Sequence, residues 1–341
     1  MRLTRRRFLA YSALAALAAG TACSASPATG GYTPPSTPTP SRPPRRDPHT
    51  SPSTTQRTQA LWGAYVYPGN TPAIKAIQEF EDLIGRKLDM TRHYIIWDRD
   101  LVNEPIIQSA EGGRIPFIAW QAKRVDGSLV RWKDIANGVE DPLIVRQARL
   151  LRGLDHEVYF AFNHEPENDP AGSPREFRAA FDHIRRVFED NGVRRIHYVA
   201  TLMRGTYQGA RGGPHLWMPR GADLIGADGY NRGACNPGVG WESFESIFSA
   251  AHAFAQKIGK PMALEEWGCV EAGDCGGITG VSKADWIREA GNTLRSWPEV
   301  AAVVYTNARA DYLGKAVDYR VDTSPTALEE YRWLGRRPYF L

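Results

Sequence analysis

The chain has 341 residues, 42% of them hydrophobic and 23% charged, with a formal net charge of +4 and four cysteines. Residues 1–60 carry eight arginines against one acid, a net of +7, which leaves −3 on the remainder. A mildly acidic folded part does not have the electrostatic footprint of a nucleic-acid binder, so no nucleic-acid partner is expected.

The first 23 residues read as an address. Thr4-Arg5-Arg6-Arg7-Phe8-Leu9 has the twin-arginine form, and the apolar run Leu9–Ala19 after it is too short to span a bilayer. The run ends at Gly20-Thr21-Ala22-Cys23, small residues before a cysteine, which resembles a lipoprotein cleavage box with Cys23 as the lipidated residue. Simple cleavage nearby is the alternative. In either case the protein is expected to be exported, lipid-anchored at the cell surface or secreted, with a lipid as its one link to the membrane. Residues 24–59 are rich in Pro, Ser and Thr and hold too few apolar groups for a core. They are expected to form a disordered tether with a reach on the order of 100 Å.

From residue 60 to 341 strand-like and helix-like segments alternate. Strands are expected at Leu61–Tyr67, Leu88–Trp97, Ile115–Gln121, Val158–Asn163, Ile196–Leu202, Leu224–Tyr230, Pro261–Glu266 and Ala301–Asn307. Amphipathic helices are expected near Thr71–Ile84, Leu101–Ala110, Pro142–Leu151, Trp241–Ile258, Ser282–Trp297 and Ser324–Leu334. A further one is opened by Ser173 and closed by Gly192. Eight strands with intervening helices point to one (β/α)8 TIM barrel, expected to act as a monomer.

In such a barrel the chemistry sits where strands end. The run Val158–Phe162 stops at Asn163-His164-Glu165, and about a hundred residues later Pro261–Leu264 stops at Glu265-Glu266. Two strand-end carboxyls on one scaffold suggest a glycosidase, because cleaving a glycosidic bond needs one protonated and one ionised carboxyl across the sugar. Alternation in the seventh strand groups Met262 and Leu264 with Glu266, and Ala263 and Trp267 with Glu265, without saying which set faces inward. In the sixth strand Asp228 and Tyr230 emerge together.

At these positions the chain resembles glycoside hydrolase family 26, retaining mannanases and related endo-glycanases on a (β/α)8 barrel. His164-Glu165 matches the family's His-Glu pair after strand four, Asp228-Gly229-Tyr230 its Asp-x-Tyr element, and Glu266-Trp267-Gly268 its Glu-x-Gly element. The resemblance implies that Glu165 is the acid/base, Glu266 the nucleophile and Tyr230 the group that steadies it. Where family mannanases carry Met-Asn after His-Glu and Trp-Arg at strand eight, this chain has Pro166-Glu167 and Tyr305-Thr306. β-Mannan is the first-choice substrate, with β-glucan and β-xylan open.

His164 and Asp228 are expected to supply hydrogen bonds around the pair. Trp97 and Trp120 are expected as sugar-stacking platforms, with Trp217 and Trp241 as further rim aromatics; His93 and Tyr305 complete the expected substrate-binding set. Glu167 is read as a solvated loop charge, and Glu265 as pairing with a base behind the sheet. The sequence has no HExxH, GxSxG or phosphate loop and its histidines are scattered, so neither a metal nor a cofactor is expected. Cys235, Cys269 and Cys275 follow neighbouring strands, and in an exported protein two of them should pair, leaving one thiol. The alternative to an enzyme is a carbohydrate-binding surface lipoprotein on a decayed barrel; loss of Glu165 or Glu266 would have marked it, and both are present.

Overall fold

The computed structural model describes residues 59–340; the expected export signal, Cys23 and all but the last residue of the expected tether lie outside them. Eight parallel strands close into a barrel in sequence order: β1 Leu61–Val66, β2 Met90–Ile96, β3 Ile115–Gln121, β4 Val158–Phe162, β5 Ile196–Met203, β6 Leu224–Asn231, β7 Met262–Cys269 and β8 Val300–Asn307. Closure comes from β1 pairing with β8, from Leu61 opposite Ala302 to Val66 opposite Asn307. Around the barrel lie α1 Ala73–Ile84, α2 Glu104–Glu111, α3 Trp132–Ala136, α4 Asp141–Leu154, α5 Pro174–Asp190, α6 Arg204–Tyr207, α7 Pro214–Trp217, α8 Phe244–Ile258, α9 Lys283–Arg295 and α10 Pro325–Gly335. No helix among the described residues is long and apolar enough to cross a membrane.

The alternation of each strand divides the core in two. Inward-facing Leu61, Met90, Phe117, Tyr159, Val199, Leu224, Ala263 and Ala302 fill the barrel with side chains. Outward-facing Trp62, Trp97, Trp120, Phe160, Leu264 and Trp267 join the apolar stripes of the helices in a much larger layer. α5 shows how the sequence delimits its helices. Ser173 accepts from the Glu176 N–H while the Glu176 carboxylate accepts from the Ser173 N–H, a reciprocal cap that satisfies two otherwise unpaired donors.

Two features depart from the expected pattern. After β5 the chain makes only the one-turn α-helices α6 and α7, because Gly209, Gly212 and Gly213, all at positive φ, interrupt any longer helix there. After β8 an antiparallel hairpin, β9 Arg309–Tyr312 and β10 Lys315–Asp318, stands on the strand-end face. Its turn places Leu313 and Gly314 at φ 53° and 76°, and a leucine in the left-handed region carries no sequence signal for such a turn.

Candidate active site

β4 ends in a sharp change of direction. Asn163 and Glu165 take φ of 46° and 52°, both in the left-handed region that non-glycine residues avoid at about 1–2 kcal/mol each. The turn is held by its surroundings. Asn163 Oδ1 accepts from the Ala122 N–H at 2.9 Å, Asn163 Nδ2 donates to Asp169 at 3.1 Å, and the Glu165 N–H donates to the Thr201 carbonyl at 3.1 Å. The strain therefore serves to aim His164 and Glu165 off the strand end.

β7 solves a different problem. Its pairing with β6 shifts register after Leu264, so that Ala227 faces Leu264 but Asp228 faces Glu266, with Glu265 as the extra residue of a bulge. Ala263 points into the barrel and Trp267 out among Trp62, Phe244 and Tyr305, yet both Glu265 and Glu266 reach the interior. Glu265 is fully buried; its carboxylate meets Arg92 Nη1 at 2.5 Å, and its carbonyl accepts from the same nitrogen at 3.0 Å. Its base thus lies inside the barrel, not behind the sheet as expected.

Glu266, one residue further out, is surrounded by donors. Tyr94 Oη donates to Oε1 and Tyr230 Oη to Oε2, both at 2.6 Å, and Arg92 Nη2 lies 3.2 Å from Oε1. Burial alone would raise its pKa, but Arg92, His164 and the two tyrosine hydroxyls together hold it below the ordinary carboxylate value. Tyr230 is itself positioned by Thr306, 2.9 Å away. The intervening Gly229 is dictated by α8: a β-carbon there would strike Ile247 and Phe248.

Glu165 is the electrostatic opposite. Its carboxyl makes no hydrogen bond among the described residues, and burial, then the charges of Glu266 and Glu167, push its pKa up to about 8. Asp228 is also driven well above the ordinary carboxylate value by burial and by Glu266, and neither of its buried carboxyl oxygens has a partner. Burial and Arg92 lower His164 to about 4, which makes it neutral 3.7 Å from Glu266. His164, Asp228 and Glu266 bring one ligand atom each to within 4.8 Å of one another. The Arg92 guanidinium 3.2 Å from Glu266 opposes a second cation there.

The structure therefore brings Glu165, Glu266, His164, Asp228 and Tyr230 together, but not the other expected residues. Trp97 and Trp120 are no sugar platforms: both are wholly buried outside the barrel, stacked on each other at 3.9 Å, with Trp120 Nε1 donating to the Trp97 carbonyl. His93 faces the same outer layer, hydrogen-bonded to Thr91 at 3.0 Å and reaching Ser109 of α2 at 3.4 Å. Tyr305 points outward too, its hydroxyl donating to the Tyr319 carbonyl, while its neighbour Thr306 meets Tyr230. Trp217 is buried against Trp132 and Phe177, and Trp241 packs half-buried on the core. Glu167 is not a solvated charge; it is buried, accepting from the Met203 N–H at 2.7 Å.

Arg92 and Tyr94 belong to this cluster and sequence reasoning missed them, although the signal existed. In Met90-Thr91-Arg92-His93-Tyr94 they share a face with Met90, whose apolar side chain fills the barrel. The cysteines resolve as Cys235–Cys275 with Cys269 as the buried thiol, tying the loop after β6 to the loop after β7.

No protein-family model matches the chain. In sequence it is 30% identical over 290 residues to Endoglucanase H of Acetivibrio thermocellus, covering 79% of this chain but about 30% of that relative's length. In structure it is similar to the Cellulomonas fimi endo-β-1,4-mannanase double mutant, with a TM-score of 0.58 at 16% identity, covering 83% of this chain and 72% of that one. It is likewise similar to the catalytic domain of the GH26 endo-β-1,4-mannanase of Bacillus sp. JAMB-750, with a TM-score of 0.55 at 13% identity over 83% and 87% of the two chains. The chain is thus a (β/α)8 barrel that shares its fold with family 26 glycoside hydrolases and is related in sequence to an endoglucanase.

Proposed function

We propose that the protein is an exported retaining endo-β-glycanase, with Glu165 as acid/base and Glu266 as nucleophile. The observation that carries this reading is the opposed ionisation of two carboxyls at the ends of β4 and β7. One is kept protonated by burial and like charge; the other is kept charged by Arg92, Tyr94 and Tyr230.

From that starting state, Glu165 gives its proton to the departing glycosidic oxygen while Glu266 attacks the anomeric carbon and forms a glycosyl ester. Esterification removes the negative charge on Glu266, one of the causes that raise Glu165. The pKa of Glu165 falls, and the same group now draws a proton from water, which attacks the anomeric carbon and releases Glu266 as a carboxylate. The donors on Glu266 stabilise it as a leaving group in this second step. Neutral His164 adds a hydrogen-bonding group without adding charge.

For the sugar, the sequence relative weighs more than the structural neighbours, whose identities of 13–16% speak for fold alone. That relative is named an endoglucanase, which favours a β-glucan. β-Mannan is the second reading, favoured by the His164-Glu165, Asp228-Gly229-Tyr230 and Glu266-Trp267-Gly268 motifs. A tethered, lipid-anchored or secreted protein fits a polymer outside the cell. Reducing-sugar release from β-glucan, β-mannan and β-xylan tests the substrate. Glu266→Ala tests the roles: it should abolish turnover, and azide should restore bond cleavage with a glycosyl azide of inverted configuration as product. A binder without turnover would release no sugar from any of the polymers while being retained on one of them.

A further inference from the structure

The loops after β6, β7 and β8 build one wall of the cleft, and its best-held polar group is not one of the carboxyls. Arg232 follows Tyr230 by two residues. Its guanidinium carbon lies 4.8 Å from the centre of the Tyr230 ring and 4.2 Å from that of Tyr312 on β9. Tyr319, just past β10, packs on Tyr230 with ring centroids 4.5 Å apart.

This wall has its own small core of Cys235, Val270, Val317 and Tyr319, with Tyr230 and Tyr312 against it. The Cys235–Cys275 bridge, the Tyr312 hydroxyl donating to Asn236 Oδ1 at 3.2 Å and Lys315 reaching the Ala234 carbonyl lock hairpin and loops together. A guanidinium held this way loses little freedom when it binds something.

Arg232 has no carboxylate partner among the described residues, and its Nε is buried without an acceptor. Neighbouring acids are engaged elsewhere: Glu242 with Arg204 at 2.7 Å, and Asp318 with Arg309 and Arg320. Arg232 nonetheless lies against the ring of Tyr230, whose hydroxyl donates to Glu266 at 2.6 Å, so one side chain separates it from the reacting groups. Tyrosine faces offset part of the cost of a half-buried cation but do not use its forked N–H groups.

We propose that Arg232 is a glycan-binding residue, donating its fork to adjacent hydroxyls of a sugar unit flanking the scissile bond. The inference rests on the glycanase reading above and names the residue by which the wall recognises the chain of sugars.

Calorimetric titration of β-glucan and β-mannan hexasaccharides into the Glu266→Gln protein tests it, because that variant binds without turnover. Adding Arg232→Met should raise Kd about 10- to 100-fold, the loss expected for hydrogen bonds to a charged group. Arg232→Lys, which keeps the charge but not the fork, should fall between, and it serves if the methionine variant does not fold. A Kd within about twofold of the parent for the folded variants would overturn the proposal. If those variants keep their affinity but lower kcat in the Glu266 background, Arg232 only positions Tyr230 and the proposal also fails. If the Glu266→Gln parent binds neither hexasaccharide, the glycanase reading itself is at fault, and the two failures are thereby told apart.

Discussion

Tyr94→Phe is the most informative single change, because it removes one donor from Glu266 and leaves the ring that packs on Tyr65 at 4.9 Å. The lost bond is 2.6 Å long, buried and made to a carboxylate. Bonds of that kind are worth about 1.5–3 kcal/mol, and at about 1.36 kcal/mol per pH unit that corresponds to about one to two pH units. The sign is fixed by the direction of the shift. Glu266 sits below its ordinary pKa and must be ionised to attack, so activity is lost as pH falls through its folded value. With one donor gone that value rises, and the acid limb of kcat/KM moves up by about one to two units. The alkaline limb belongs to Glu165 and should stay in place. Initial rates on soluble polysaccharide from pH 3 to 10 read both limbs. An unmoved acid limb in a folded variant, or two limbs moving together, would refute the assignment of Tyr94 as a donor to the nucleophile.

In the wild type the alkaline limb should fall near pH 8, since the acid must hold its proton until the bond breaks. Glu165→Ala should slow polysaccharide cleavage by about 10²–10⁴-fold yet still process aryl glycosides whose leaving group needs no proton. Glu165→Gln should be more stable to urea than the wild type at pH 7, by an amount on the order of 3 kcal/mol, because the native carboxyl must take up a proton on folding. Below about pH 4.5, where both states are protonated, that gain should vanish. Replacing Cys235 and Cys275 together removes a cross-link spanning 40 residues, worth about 4 kcal/mol, and should lower Tm by about 5–8 °C in a thermal scan. A chain starting at Thr58 should fold and keep full activity on soluble substrate; aggregation would place the domain boundary further upstream.

Periodicity and turn residues made the eight strands legible, since a strand packed on both faces must be apolar on both and end at a break. Helices with strong caps, such as that opened by Ser173, were legible for the same local reason. The strand-end carboxyls could be found because ionisable groups interrupt an apolar run. The aromatic residues could not be assigned this way. Trp97, Trp120 and Tyr305 stand at strand ends as sugar platforms do, but a barrel buries outward-facing aromatics under its helices at those same heights. Whether a strand-end residue faces cleft or helix depends on phase, and phase depends on the register of neighbours distant in sequence. Arg92 was hidden by the same ambiguity: its partners Glu265 and Glu266 lie 173 and 174 positions away.

The bulge at Glu265 makes β7 unusually intolerant of changes in length. A regular strand can lose or gain two residues and still present the same side to the sugar. Here two successive glutamates serve different neighbours, one sealing Arg92 within the barrel and one facing the cleft, while Trp267 must swing back under the helices. Removing either glutamate would restore plain alternation and keep Trp267 under the helices, but it would leave one carboxylate to do both tasks; adding a residue instead would turn the indole toward the space occupied by charge. Variation among descendants of this chain should therefore spare the length of 262–269 and collect in the hairpin at 309–318, where an added residue disturbs no such frame.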